Sequence, residues 1–191
     1  MNEVIQITTP LDEETVRGLR AGDRVEFNGI LYTGRDVAHK RMVALLENNE
    51  PFPFILQGAV LFYVGPTPPG AGRPIGSAGP TTSTRMDAFA PALIQHGLKG
   101  MIGKGPRNRA VKDAIVRYKA LYFAATGGAG ALLSKRIIAS RVIAFDDLGP
   151  EAIRELTVEH FPAVVINDMY GNDLYVQNRK QYAESSSYYS E

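Results

Sequence analysis

The 191-residue sequence predicts a single α/β domain with a mixed central sheet or small barrel flanked by helices. Three observations predict it. Apolar, β-type runs alternate along the chain with segments whose apolar residues fall at helical spacing. The length suits one domain, and a hydrophobic content of 45% is enough for a core without disulfide or metal staples. An early hairpin and a late strand pair interrupt the alternation, so the sheet is not expected to be purely parallel.

The elements follow in order. Val4 to Thr8 alternates apolar and polar residues and reads as a first strand. LDEETVRGL offers a short helix. Asp23 to Gly34 reads as a hairpin with Asn28-Gly29 at its tip. Arg35 to Leu46 follows as a helix with Ala38, Met42, Leu45 and Leu46 on one face. Ile55 to Gly65 is a long apolar run, expected as a buried strand interrupted at Gly58. Met86, Phe89, Ala90, Leu93 and Ile94 mark a helix ending near Gly97, and GLKGMIGKG a short strand between glycines. Asn108 to Tyr118 is helical, ALYFAATGG is a buried strand turning on Gly127-Gly128, and GALLSKRI is a short helix. RVIAFDDLG is another strand. Pro150 at a first helical position opens a helix PEAIRELTV. FPAVVINDMYGNDLYV supplies a strand, a turn at Gly171-Asn172 and a last strand. Residues 1–176 are expected to form the domain. Residues 177–191, without apolar periodicity, are expected to be a mobile tail.

Composition limits the function. Net charge is +1, so bulk charge argues neither for nucleic acid nor for a membrane surface as partner. The aromatic residues are not interleaved with basic ones in the manner of single-strand binders. There is no cysteine, which removes thiol nucleophiles, disulfides and thiolate metal sites from this chain. The three histidines, His39, His96 and His160, have no metal-ligand spacing, so no metal site is expected on this chain. His39, four residues after Arg35, reads either as a pocket-edge group or as a helix-surface histidine. No basic-then-apolar leader and no membrane-length apolar run is present, so a cytoplasmic location is expected.

The most informative stretch lies between Gly65 and Thr81, where five Gly and five Pro fill ten of seventeen positions. It is too stiff for a flexible linker and too poor in side chains to make a core. It reads as a backbone scaffold that delivers Thr81, Thr82, Ser83 and Arg85 to one place. It lacks the GxxxxGK[ST] pattern of a nucleotide P-loop. Two other cationic fragments sit where a strand gives way to a loop or helix: Thr33-Gly34-Arg35-Asp36 and Gly103-Lys104-Gly105. Ligand sites in α/β sheets gather at such junctions. Converged, these fragments would offer two guanidiniums, one ammonium and several hydroxyls to a small dianion such as a dicarboxylate. Each also has a plainer role available. Arg35 and Asp36 could form a surface ion pair, one of Thr82, Ser83 and Thr84 could be a helix N-cap, and Lys104 could be a solvated turn lysine.

GRDVAHKR, the Gly/Pro loop running into GPTTSTRMD, and the later IGKG together resemble the β subunit, or C-terminal domain, of class I iron–sulfur fumarate hydratases and the related L(+)-tartrate dehydratases. The resemblance runs roughly from Leu11 to Asp173. It implies a swivelling-type α/β domain that closes over a [4Fe–4S] cluster held by a cysteine-bearing α subunit, with αβ pairs dimerised. It implies that Arg35, Arg85 and Lys104 bind substrate carboxylates and that Thr81 is the catalytic base. Asp36 stands as a rival or partner base, or as the group that orients Arg35. The implied activity is the interconversion of (S)-malate with fumarate and water, a step of the tricarboxylic acid cycle. Tartrate dehydration to oxaloacetate is the alternative, and a noncatalytic anion-binding subunit is a second alternative.

Overall fold

A computed structural model describes residues 3–126 and 128–186. Seven strands are present among them: β1 (Ile5–Thr8), β2 (Arg24–Thr33), β3 (Val60–Phe62), β4 (Gly100–Gly103), β5 (Leu121–Ala124), β6 (Ile137–Ala144) and β7 (Ile153–Asn167). The helices are α1 (Glu13–Gly18), α2 (Asp36–Glu47), α3 (Ala90–Gln95), α4 (Arg109–Tyr118), α5 (Gly130–Leu133) and α6 (Leu174–Ser186). The strand order is β1-β2-β3-β4-β5-β7-β6, and β2 also pairs with β7. That pairing closes β2, β3, β4, β5 and β7 into a five-stranded barrel. β2 through β5 are mutually parallel, and β7 runs antiparallel to β2, β5 and β6. The expected mixed sheet is thus a small barrel with helices around it.

Period-two alternation decides what faces where. Phe62, Ile102, Leu121 and Phe123 share one core cluster with Phe27, Leu31, Val158 and Phe161. Their neighbours Leu61, Tyr63, Met101 and Tyr122 join a second cluster with Ala38 and Met42 of α2, Leu93 and Ile94 of α3, and Val111 and Ile115 of α4. The first cluster fills the barrel and the second glues the helices to its outside. A strand buried on both faces reads as an unbroken apolar run, which is why Ile55 to Gly65 shows no alternation. Only Val60–Phe62 of that run is strand. Gly58, at φ +78°, turns the chain into it beneath Leu11.

Three expected elements are corrected. Asn28-Gly29 is not a hairpin tip, because β2 runs straight through it with a register shift opposite β7. Gly29 has φ +111°, and a Cβ there would lie 2.8 Å from Thr9 Oγ1. That hydroxyl accepts from the Ile30 amide at 2.6 Å and donates to the Ile30 carbonyl at 2.7 Å. Asn28 Oδ1 accepts from the His160 amide at 3.0 Å, and His160 itself has φ +50°. Residues that favour a tight turn here bend two long strands together at a barrel corner. Next, Pro150 opens no helix. It lies in a 3₁₀ segment, Asp146–Glu151, and IRELTV begins the fifteen-residue β7. Pairing of this stretch with β2 and β6 outweighs local helix propensity. Finally, DLYV is not a strand. Asp173 Oδ1 accepts from the amides of Tyr175 and Val176 and so caps α6. α6 continues through the boundary expected at residue 176, and residues 187–191 lie outside the described residues, as does Gly127 of the expected Gly127-Gly128 turn.

Candidate functional site at the rim of the barrel

The parallel strands end at one level. Thr33 is in register with Phe62, Phe62 with Ile102, and Ile102 with Phe123. The residues that follow each strand therefore gather on one rim, the carboxyl end where α/β sheets bind ligands. Arg35 follows β2 as the residue before the first turn of α2. Lys104 follows β4.

The Gly/Pro loop reaches the same rim by backbone hydrogen bonds. It closes on itself at its base, where the Thr67 amide donates to the Ser77 carbonyl at 3.1 Å and the Ser77 amide to Thr67 Oγ1 at 2.8 Å. The Ala78 amide then donates to the Gly130 carbonyl at 3.1 Å. Gly130 is obligatory at that approach, since a Cβ would lie 2.6 Å from Ser77 Oγ and 2.8 Å from the Gly79 nitrogen. The chain next enters the gap between the ends of β3 and β4. The Thr81 amide donates to the Tyr63 carbonyl at 2.6 Å, Thr82 bridges to Lys104, and the Ser83 amide donates to the Lys104 carbonyl at 2.9 Å.

Thr81 is half-buried, and Arg85 and Lys104 are exposed. Neither cation has a side-chain hydrogen bond or ion pair among the described residues, and the Thr81 hydroxyl has no partner there either. Arg35 differs. Its Nη1 lies 3.1 Å from Glu151 Oε1 and its Nη2 3.6 Å from Asp36 Oδ1. The structure thus brings Arg35, Asp36, Thr81, Arg85 and Lys104 to one rim. It leaves two of the cations free and pairs the third.

Beneath the rim lies a buried polar cluster that the sequence reading missed. Ser83–Met86 is a 3₁₀ turn whose first residues supply no side-chain cap, contrary to the N-cap role open to Thr82, Ser83 or Thr84. Ser83 is instead fully buried, 2.8 Å from the Tyr122 hydroxyl. Tyr122 donates to the Gly105 carbonyl at 2.8 Å, so the Ser83 hydroxyl is the donor to Tyr122. Desolvation raises the Tyr122 phenol, which stays protonated and keeps this direction. Asp87 accepts from Arg107 Nε at 2.6 Å through one oxygen and from the Asn108 amide at 2.7 Å through the other. The Arg107 guanidinium is fully buried and lies over the Tyr63 and Tyr122 rings, 5.4 and 4.9 Å from their centroids. Arg85 thus stands midway between two anchors, Ser83 and Asp87. No local pattern in the sequence marks these partners, because they come from four different elements.

His39 is corrected on both of its expected readings. It is neither exposed nor at a pocket edge but fully buried, with Nδ1 2.8 Å from the Arg35 carbonyl and its ring edge-on to Tyr63. Burial lowers its pKa to about 4, so it is neutral. Asn167-Asp168 forms the expected turn. Asp168 is its hub, accepting from the amides of Ala21, Tyr170 and Asn172.

No group of three or more His, Cys, Asp or Glu among the described residues could hold a metal ion. With no cysteine in the sequence, the residues of this chain do not fit a [4Fe–4S] cluster as its holder. No helix among the described residues is long and apolar enough to cross a membrane.

Comparison with known proteins gives consistent likenesses. A family model described as Fumarase C-terminus matches residues 1–178. Fumarate hydratase 2 of Leishmania major is 34% identical over 175 residues, covering 90% of this chain and 31% of that protein. The anaerobic class I fumarate hydratase of Escherichia coli strain K12 is 36% identical over 156 residues, covering 81% of this chain and 28% of that protein. The L(+)-tartrate dehydratase subunit beta of Escherichia coli strain K12 is 33% identical over 183 residues, covering 93% of this chain and 90% of that subunit. The chain therefore spans less than a third of the two fumarate hydratases and nearly the whole of the tartrate dehydratase subunit.

Proposed function

The chain belongs to the Fumarase C-terminus family, and on that premise we propose that it is the β-type part of a hydro-lyase interconverting (S)-malate with fumarate and water. The observation that carries this reading is the pairing of Thr81–Ser83 into the gap between β3 and β4. It sets Thr81, Arg85 and Lys104 on the rim that also bears Arg35.

In this reading a cysteine-bearing α subunit holds the [4Fe–4S] cluster and faces the rim, with αβ pairs dimerised in the cytoplasm. The exposure of Arg85 and Lys104 suits a surface that a partner and substrate complete. Dehydration requires removal of a proton from the carbon beside a carboxylate, which leaves an extra negative charge delocalised into that carboxylate. Arg35 and Arg85 bind carboxylates through the guanidinium fork, and Lys104 acts as a compact charge. Fixed cations near the developing charge stabilise the transition state more than the ground state. Thr81 takes the proton. A hydroxyl is a weak base, and the unpaired Arg85 and Lys104 would favour its ionised form once a partner excludes water. Asp36, held against Arg35, is assigned to orienting it.

The test is reconstitution with an α-type chain. Thr81→Ala should lower malate dehydration by orders of magnitude, while a subunit that only recruits a partner would keep full turnover. The cluster-free chain alone should be inactive, and robust dehydration by it would overturn the reading. A second reading, tartrate dehydration to oxaloacetate, is favoured by the end-to-end match to the Escherichia coli subunit. Assaying malate, fumarate and L(+)-tartrate on the reconstituted pair separates the two.

A further inference from the structure

The pairing of Arg35 distinguishes it from the other rim cations. Its side chain is 23% exposed, and that of Glu151, its nearer partner, 24%. The guanidinium lies on Gly65, where a Cβ would sit 3.2 Å from both Cδ and Nη1. Arg35 Nε, Asp36 Oδ1 and Glu151 Oε2 are all buried without a hydrogen-bond partner. One guanidinium and two carboxylates leave the cluster formally one charge negative. An arriving dianion is repelled there, whereas Arg85 and Lys104 attract it.

Glu151 is also held firmly in the backbone. It ends the 3₁₀ segment Asp146–Glu151, whose start is clamped to α2 by the two-pronged Arg41–Asp147 pair at 2.7 and 2.5 Å. Just beyond it, Thr33 Oγ1 donates to the Ala152 carbonyl at 3.1 Å and accepts from the Arg154 amide at 2.9 Å. The carboxylate is thus delivered to Arg35 by a segment anchored on both sides, while its own hydrogen bonding is left incomplete. The unpartnered Arg35 Nε carries the cost of an unmade hydrogen bond, which an incoming carboxylate would relieve.

We propose that Glu151 is an internal counter-carboxylate for Arg35. It occupies Nη1 until a substrate carboxylate replaces it, and so sets how tightly the rim holds a dianion. Glu151 is a positioning residue that acts through Arg35, and the inference rests on the reading of Arg35 as a carboxylate binder.

The experiment measures succinate binding to the full chain by NMR titration, and kcat and KM of the reconstituted pair. Glu151→Gln should bind succinate about tenfold more tightly, the effect of removing one nearby negative charge at a partly screened site. It should also lower KM without lowering kcat, because the freed Arg35 charge stabilises the extra negative charge of the transition state at least as well as the bound substrate. Glu151→Asp keeps the charge but shortens the reach, and should tighten binding by a smaller factor. A merely structural role would shift thermal stability without tightening either constant. Unchanged or weaker succinate binding by folded Glu151→Gln overturns the proposal, and Glu151→Asp decides in the same way should the glutamine variant not fold. Arg35→Ala separates the two layers. If it abolishes binding while Glu151→Gln does not tighten it, only the role of Glu151 falls. If Arg35→Ala leaves binding unchanged, the reading of Arg35 falls and this proposal with it.

Discussion

The Ser83 amide donates to the Lys104 carbonyl at 2.9 Å, and that bond joins segments twenty-one residues apart at the end of β4. Neither participating group is a side chain. The relation between Thr81, Arg85 and Lys104 is thus fixed by main-chain geometry, with the buried Tyr122 hydroxyl as a second tie between Ser83 and Gly105. With the main chain preorganised, only the Arg85 and Lys104 side chains themselves remain to be ordered on a ligand.

Tyr122→Phe keeps the ring and removes that tie. It should cost about 1–3 kcal/mol of stability, because the buried Ser83 hydroxyl loses its acceptor and the Gly105 carbonyl its donor, and lower kcat of the reconstituted pair by roughly ten- to a hundredfold, the sensitivity expected of a displaced reacting group. Thermal unfolding alongside steady-state kinetics checks both numbers. An unchanged kcat would show that the tie does not govern the site.

Asp87→Ala should be the more damaging change. It strands the fully buried Arg107 guanidinium and frees the Asn108 amide. Removal of one partner from a buried pair costs roughly 3–5 kcal/mol. Urea unfolding measures it, and a loss below 1 kcal/mol would mean that Arg107 finds another partner.

His39 should make stability fall with acidification. Its pKa is lowered from 6.5 to about 4 by burial, so the unfolded chain binds a proton more readily than the native one. Stability conferred by the neutral ring is fully present above pH 6.5 and is lost as pH falls toward 4. Between pH 7 and pH 5 the contribution is about 2 kcal/mol. Unfolding curves at the two pH values, compared with those of His39→Leu, should show that part of the slope removed in the variant.

Gly103→Ala should be poorly tolerated although its backbone is ordinary strand. A Cβ there would overlap Ser83 Oγ and sit 2.9 Å from Tyr63 Cδ2. Overpacking at such a contact costs about 1–3 kcal/mol. Here it should also push the Ser83 segment off β4, so that activity falls further than stability does.

Arg85→Lys tests the fork. Lysine keeps the charge but cannot engage a carboxylate through two parallel N–H groups. kcat/KM of the reconstituted pair should fall about a hundredfold, equivalent to roughly 2.7 kcal/mol. Near-normal kinetics would argue against direct contact between Arg85 and a carboxylate.

What the sequence determined by itself was local. Apolar runs located the barrel strands β3, β4 and β5, helical spacing located α2 and α4, and Gly and Pro density marked the loop that carries Thr81. Where a residue pattern served two geometries, the sequence could not choose. Asn28-Gly29 suits a hairpin tip and equally a bend shared with His160, and EAIREL suits a helix until β2 and β6 offer it hydrogen bonds. Only tertiary structure decided that Glu151 would occupy Arg35, that Arg107 would lie beneath Arg85's segment paired with Asp87, and that His39 would be buried. The physical reason is distance along the chain. Charge pairing and burial depend on which elements meet, and barrel closure by β7, not any local propensity, sets those meetings.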